Sequence, residues 1–195
     1  FKAGVVDRFL IAAESGGVKA AVCLSKGDLA HGEPDTVKAY RDIEVPVIRT
    51  SCVTGEGIDA LRALMRGKTV VLAGQSGVGK TSLLNTLDPT LDLQTQEVSE
   101  ANEKGRHTTS SARLYRLEGD IRLIDTPGIR QLGLWNVTPE ELAFYLPDIG
   151  ALAEHCKFRN CTHMHEPSCA VMEAVKSGTL PRHRYLSYTR IRSSL

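Results

Sequence analysis

Eight consecutive residues, Gly74-Gln75-Ser76-Gly77-Val78-Gly79-Lys80-Thr81, constrain this chain more than any other stretch. They fit G-x-x-x-x-G-K-[ST], the pattern of a phosphate-cradling loop. Thr69 to Ala73, just before, is an apolar, β-branched run of strand length. Ser82 to Leu87, just after, reads as a helix that ends near Asp88-Pro89. Strand, glycine loop and helix in that order give the pattern its chemistry. Glycines let backbone N–H groups turn toward phosphate oxygens, and the helix start adds partial positive charge. Gly74, Gln75, Ser76, Gly77, Val78, Gly79 and Ser82 are therefore expected to line a nucleotide's phosphates. Lys80 is expected to reach the β- and γ-phosphates, and Thr81 to offer its hydroxyl to Mg²⁺.

The rest of the chain supplies an α/β frame for that loop. Apolar spacing predicts helices over Val5–Ala13, Pro34–Asp42 and Ile58–Met65, with strands over Val18–Leu24 and Val45–Arg49. Such alternation calls for a parallel sheet covered by helices. Residues 94–111 are almost all polar and read as a loop. Ala112–Leu117 and Ile121–Ile124, joined at Glu118-Gly119-Asp120, read as a hairpin. Further on, Thr138 is expected to cap a helix that opens on Pro139 and runs to about residue 147. Two more helices are expected, one from about Ser168 to Lys176 and one from Pro181 onward. With 42% hydrophobic and 24% charged residues, the composition is that of a globular domain. No apolar run approaches the roughly 18 residues of a membrane helix. The chain starts at Phe1, as expected for a piece of a longer protein.

Other fragments complete a nucleotide site. Asp125-Thr126-Pro127-Gly128 follows the second hairpin strand. Its carboxylate can hold Mg²⁺ through water, and Gly128 lets a backbone N–H approach a γ-phosphate. Gly105-Arg106-His107-Thr108-Thr109 lies in the polar loop, where a threonine can complete Mg²⁺ coordination; Thr108 is favoured, with Thr109 the alternative. Ser25-Lys26-Gly27-Asp28 follows the first strand. Asp28 can accept both N–H groups on guanine's Watson–Crick edge, which adenine does not offer, and the Lys26 stem can lie over the ring. Ser51-Cys52-Val53-Thr54-Gly55 follows the next strand and can meet guanine O6. Ile129 stands where a water-positioning glutamine is common, so His107 is the candidate for that role.

Of five cysteines, Cys23 and Cys52 sit in apolar or turn contexts and are expected to be buried thiols. The other three form Cys156-x₄-Cys161-x-His163-x₅-Cys169. Three thiols and an imidazole so close together suit a closed tetrahedral zinc site, with His165 a competitor for the nitrogen position. Residues 156–195 carry seven Lys/Arg against two Asp/Glu, a balance of +5 on a chain of net +1. A basic end of this kind is expected to face a polyanion.

Order is the informative feature. Guanine-reading segments near 25–28 and 51–55 precede the phosphate loop, the reverse of ordinary small GTPases. With Gly-Arg-His-Thr-Thr and the cysteine spacing, the chain resembles the RsgA (YjeQ/EngC) family of circularly permuted, small-subunit-dependent GTPases over nearly its whole length. That resemblance implies a circularly permuted P-loop GTPase domain over 1–136, with a mostly parallel sheet, and a small helical zinc-binding domain over 137–195. It also implies an OB-fold domain upstream. The implied function is hydrolysis of GTP by a late assembly factor of the small ribosomal subunit, with Mg²⁺ at the nucleotide and one structural Zn²⁺. It supports His107 as a catalytic residue and His163 as the fourth zinc ligand. Small-subunit rRNA is the implied partner, a cytoplasmic monomer the implied state. One departure stands out. The family's guanine motif begins with Asn where this chain has Ser25, which keeps a hydroxyl but lacks the amide that usually ties the base to the phosphate loop.

Overall fold

The structure is a computed structural model; it describes residues 1–29, 32–94, 112–126 and 133–195. The candidates His107, Thr108, Thr109 and Gly128, together with Ile129, lie outside the described residues. The remainder divides into two compact units. One comprises residues 23–31 and 48–131 and carries the phosphate loop; the other comprises 1–22, 32–47 and 132–195 and carries the cysteine cluster.

In the nucleotide-loop unit, the hairpin forms as the sequence predicts. Strands β4 (Arg113–Leu117) and β5 (Ile121–Asp125) pair antiparallel, and β3 (Thr69–Leu72) lies parallel to β5. The turn between β4 and β5 places Gly119 and Asp120 at positive φ, 81° and 54°. Helix α3 (Ile58–Met65) and helix α4 (Lys80–Leu87) cover one face of this sheet. Their apolar residues recur at helical spacing, Ile58, Leu61 and Met65 on α3 and Leu83, Leu84 and Leu87 on α4. They meet Leu117, Ile121 and Leu123, the inward positions of the hairpin. Strands β1 (Val22–Leu24) and β2 (Val47–Arg49) form a separate two-stranded sheet, shorter at both starts than their apolar runs. The Val22 N–H donates to the Pro46 carbonyl and the Thr50 N–H to the Leu24 carbonyl, both at 2.8 Å. Those bonds climb both strands together, as in a parallel pair. Before α3, Gly57 adopts φ 72°, and a Cβ there would stand 1.9 Å from the Arg49 carbonyl oxygen. Only glycine fits this turn.

The other unit is helical. Helices α1 (Ala3–Ser15), α2 (Lys38–Asp42), α5 (Pro147–Ala153), α6 (Ala170–Ser177) and α7 (Arg182–Arg192) belong to it. Its core gathers Ile11, Leu142, Leu146, Ile149, Val171, Tyr188 and Ile191. α6 stops at Gly178, whose φ of 80° is the left-handed cap glycine accepts readily. The expected helix over 139–147 does not form. Thr138 and Glu141 do make the capping contacts, but residues 139–141 are a turn and only a 3₁₀ helix, Leu142–Tyr145, follows. Pro147 is the reason. Its ring disfavours helical geometry at Leu146, which is extended at φ −123°, ψ 93°. The same proline then opens α5 at a position where no N–H is needed. Among the described residues, no helix is long and apolar enough to cross a membrane.

Candidate functional site

The phosphate loop bridges β3 and α4. Gly74, Gly77 and Gly79 hold φ of 155°, 78° and 92°, values that side-chain-bearing residues rarely adopt. A Cβ on Gly74 would also press on the Val78 side chain at 3.2 Å. Between them Gln75, Ser76 and Val78 complete the turn, and Thr81 and Ser82 occupy the first turn of α4. The Lys80 ammonium donates to the carbonyls of Gly74 and Gln75 at 2.7 and 3.0 Å, so the lysine spans the loop it follows. Partial burial lowers its pKa, and the Asp125 charge works in the opposite direction.

Asp125 ends β5 directly beside Leu72, the last residue of β3. The parallel pairing thus brings the carboxylate to the foot of the phosphate loop. Its Oδ1 is buried and accepts no hydrogen bond from the described residues. An orphaned carboxylate oxygen there suits a hydrated cation, the chemistry expected of an Mg²⁺ site. The Thr126 hydroxyl donates back to Leu72 at 3.4 Å.

The segment 25–28 joins this loop. The Ser25 hydroxyl donates to the Val78 carbonyl at 2.6 Å. The Lys26 stem runs past Gly79, its Cε 4.0 Å from where a Cβ would be. The hydroxyl that Ser25 keeps thus joins its segment to the phosphate loop. Ser51 orients the other polar group. Its hydroxyl accepts from the N–H groups of Val53 and Thr54 at 3.2 and 3.1 Å and donates to Asp28 Oδ1 at 2.6 Å. With both N–H donors satisfied by its lone pairs, the Ser51 proton has one direction left, toward Asp28. Asp28 itself is exposed, and a carboxylate with one oxygen engaged by Ser51 can still accept further donors. Cys52 sits at the tip of the 51–55 loop and is exposed, correcting the expectation of a buried thiol; Cys23 is half-buried. The loop turns outward at Cys52 because the Gly55 N–H returns to the Ser51 carbonyl at 2.9 Å. Arg49 was not singled out by sequence, yet it braces the same region. It donates to the Gly27 carbonyl and pairs with Glu56 at 3.5 Å.

In the helical unit, Cys156, Cys161, His163 and Cys169 converge, with all four ligand atoms within 4.8 Å of one another. Cys156 Sγ lies 3.5 Å from His163 Nδ1 and 3.8 Å from Cys169 Sγ, and Cys169 Sγ lies 3.4 Å from His163 Nδ1. A tetrahedral zinc with Zn–S of about 2.3 Å and Zn–N of about 2.0–2.1 Å requires S···S near 3.8 Å and S···N near 3.5 Å. Cys156, His163 and Cys169 match those spacings, and Cys161 completes the donor set within 4.8 Å. His165 is exposed and stays out of the group. Burial raises the Cys161 and Cys169 thiols and lowers His163.

A supporting layer orients these ligands. Tyr185 and Tyr188 on α7 donate their hydroxyls to the carbonyls of His163 and Thr162 at 2.8 and 3.0 Å. The Glu166 carboxylate accepts the N–H groups of Thr162, Met164 and His165 and the Thr162 hydroxyl. Burial acts to raise its pKa, but those hydrogen bonds outweigh it and hold the group well below the usual carboxylate range. Sequence spacing gave no hint of this layer.

The basic C-terminal segment also needs correction. Arg184 is only 1% exposed and does not face solvent. Its guanidinium grips Asp148 through two bonds of 2.7 and 2.8 Å, donates to Asp7, and lies 5.4 Å from the Tyr40 ring centroid. Arg192 donates to the Pro139 carbonyl. Helical periodicity explains the burial: Arg184 shares a face with Tyr188 and Ile191, which enter the core.

Comparison with known proteins accords with this geometry. A family model described as RsgA GTPase matches residues 1–135. A small ribosomal subunit biogenesis GTPase RsgA from Gemmatimonas aurantiaca is 42% identical over 193 residues, covering 98% of this chain and 63% of the relative. A protein of the same description from Geobacillus kaustophilus is 43% identical, covering 96% and 66%. The chain therefore spans somewhat under two thirds of these relatives' length. Among solved structures, YjeQ from Thermotoga maritima superposes with a TM-score of 0.77 at 32% identity, covering all of this chain and 66% of that one. YloQ, described as a circularly permuted GTPase, gives 0.73 at 34% identity, covering all of this chain and 63% of that one. The fold is that of a circularly permuted P-loop GTPase, with β1 and β2 ahead of the phosphate-loop strand β3. By sequence and by structure, the chain belongs to the RsgA GTPase family.

Proposed function

We propose that this chain binds and hydrolyses GTP as part of a late assembly factor of the small ribosomal subunit. The observation that carries the guanine reading is the Ser25–Val78 hydrogen bond, which holds a base-reading segment against a phosphate loop. Asp28, oriented by Ser51, is then poised to accept guanine's N1–H and 2-amino group, with Lys26 over the ring and the 51–55 loop, Cys52 included, beside O6. The phosphates rest on Gly74 through Ser82. Lys80 exchanges its loop carbonyls for phosphate oxygens. Thr81, Asp125 and Thr108 would hold Mg²⁺, Gly128 would meet the γ-phosphate, and His107 would orient the attacking water. Mg²⁺ supplies charge neutralisation across the phosphates. These residues position and screen, which is most of what phosphoryl transfer asks of a protein. Zn²⁺ at Cys156, Cys161, His163 and Cys169 is structural, because four protein ligands leave no site for water. We take 1–136 as the GTPase domain and 137–195 as the zinc domain of a cytoplasmic, monomeric protein. Its partner is the small subunit and its rRNA.

The deciding experiment is GTP hydrolysis by the full-length protein with and without purified small ribosomal subunits. ATP and the Lys80→Ala variant serve as controls. Subunit stimulation specific to GTP, lost in the variant, is the expected result. Equal turnover of ATP and GTP would overturn the assignment.

Two substitutions probe the base site. Asp28→Asn reverses one hydrogen-bonding role and is expected to weaken GTP binding on the order of a hundredfold while improving xanthosine triphosphate. Competition between the two nucleotides measures it. Ser25→Ala removes one neutral tie and is expected to weaken GDP binding by roughly three- to tenfold. Ser25→Asn should retain wild-type affinity, as read by fluorescent-nucleotide titration.

A further inference from the structure

We propose that Lys157-Phe158-Arg159-Asn160, the loop between the first two metal ligands, binds single-stranded RNA. In this assignment Phe158 stacks on a base, and Lys157 and Arg159 meet the flanking phosphates. The inference rests on the ribosomal reading above for its partner and names the surface that does the binding.

Charge is the first argument. From His155 to His165 the sequence has no acidic residue. The first acid after it, Glu166, is turned inward, its oxygens engaged by three backbone N–H groups and the Thr162 hydroxyl. All four residues of the loop are exposed. Glu154, just before the run, is also exposed, but the loop's two cations outnumber it and their field reaches solvent.

Phe158 is the second. Its neighbours in sequence, Cys156 and Cys161, pack against the unit's apolar core, yet the phenylalanine points out and is 39% exposed. The Lys157 ammonium stands 5.5 Å from its ring centroid. An aromatic face beside a cation suits an unstacked base with its phosphate, whereas a duplex would offer the ring nothing to stack on.

Rigidity is the third argument. Cys156 and Cys161 bracket the loop as metal ligands, and the Cys161 N–H closes it by donating to the Phe158 carbonyl at 3.2 Å. A surface already ordered loses little conformational freedom on binding. The segment's other cations are less suited. Arg184 is buried against Asp7 and Asp148, Arg192 is bonded to Pro139, and Lys176 pairs with Glu173 at 3.4 Å. Arg182 and Arg190 are exposed on α7, but no aromatic side chain is exposed on that helix.

The test titrates the full-length, zinc-loaded protein with a short mixed-sequence RNA oligonucleotide, and separately with small subunits, across a series of KCl concentrations. Lys157→Ala/Arg159→Ala should reduce the slope of log affinity against log salt by about 1.4, two phosphate contacts' worth for a single strand. Phe158→Ala should weaken RNA binding about tenfold with the slope unchanged, and Phe158→Tyr should restore it. Zinc content and the unfolding midpoint, measured alongside, should match wild type. Wild-type RNA affinity in both loop variants overturns the proposal. So does a loss that follows Arg182→Ala/Arg190→Ala instead, or one seen with subunits and not with RNA, which marks a protein contact. If subunits fail to stimulate GTP hydrolysis while the loop variants still lose RNA, the ribosomal reading fails and this one stands. Stimulation intact with RNA binding unaltered in the variants sinks this one alone.

Discussion

Arg184→Met is expected to destabilise the helical unit by about 3–5 kcal/mol, because it leaves the buried Asp7 carboxylate and the half-buried Asp148 carboxylate without their counter-charge. Asp7 is fully buried, and Arg184 reaches it from 177 positions away in the chain. The same guanidinium holds Asp148 at the start of α5 in a two-pronged bond. Loss of the arginine therefore loosens α1, α5 and α7 together. Burial already pushes the Asp7 carboxyl upward against the pull of Arg184, so in the variant Asp7 should take up a proton instead of remaining charged. Urea unfolding followed by far-ultraviolet circular dichroism measures the change. Replacing Asp7, Asp148 and Arg184 together with apolar residues of similar volume should recover most of it, since the penalty lies in the unpaired charges. A single variant as stable as wild type would show that the charges are solvated in solution.

Removal of the metal is expected to have the second large effect. Between the end of α5 at Ala153 and the start of α6 at Ala170 there is no helix or strand. A stretch without its own ladder of backbone bonds depends on its ligands, and a structural zinc supplies roughly 10–16 kcal/mol of apparent binding free energy at neutral pH. Glu166, Tyr185 and Tyr188 add hydrogen bonds around the ligands, but each contributes only about 1 kcal/mol net. Chelation should therefore expose Cys156, Cys161 and Cys169 to a thiol reagent. In the metal-loaded protein exposed Cys52 should react first and half-buried Cys23 slowly. Proteolysis between α5 and α6 should appear in parallel. Equal thiol reactivity before and after chelation would show that hydrogen bonding alone holds the cluster.

Much of the site was legible because its chemistry is local. A phosphate loop needs glycines at fixed intervals, and Gly74, Gly77 and Gly79 take up the positive φ values that the interval implies. The four residues that could hold a metal lie within 14 positions of one another, so short loops alone bring them together. The hairpin of β4 and β5 follows from two alternating runs around Gly119. Other errors were errors of competition between local signals. Thr138 and Glu141 announce a helix start, and their contacts form, but Pro147 ends the helical geometry before an α-helix is established.

By itself, the sequence determined the glycine pattern of the phosphate loop, the order that makes the fold permuted and the four residues, Cys156, Cys161, His163 and Cys169, that could hold a metal. Each rests on residue type at short spacing. Tertiary structure alone decided which way Ser25 points, that Arg184 is a buried counter-ion and not part of the basic surface, and that α1 from one end of the chain packs with α7 from the other. Those outcomes depend on which distant groups share the interior. A buried charge is tolerated only where a partner of opposite sign is already placed, and that placement is a property of the packed chain.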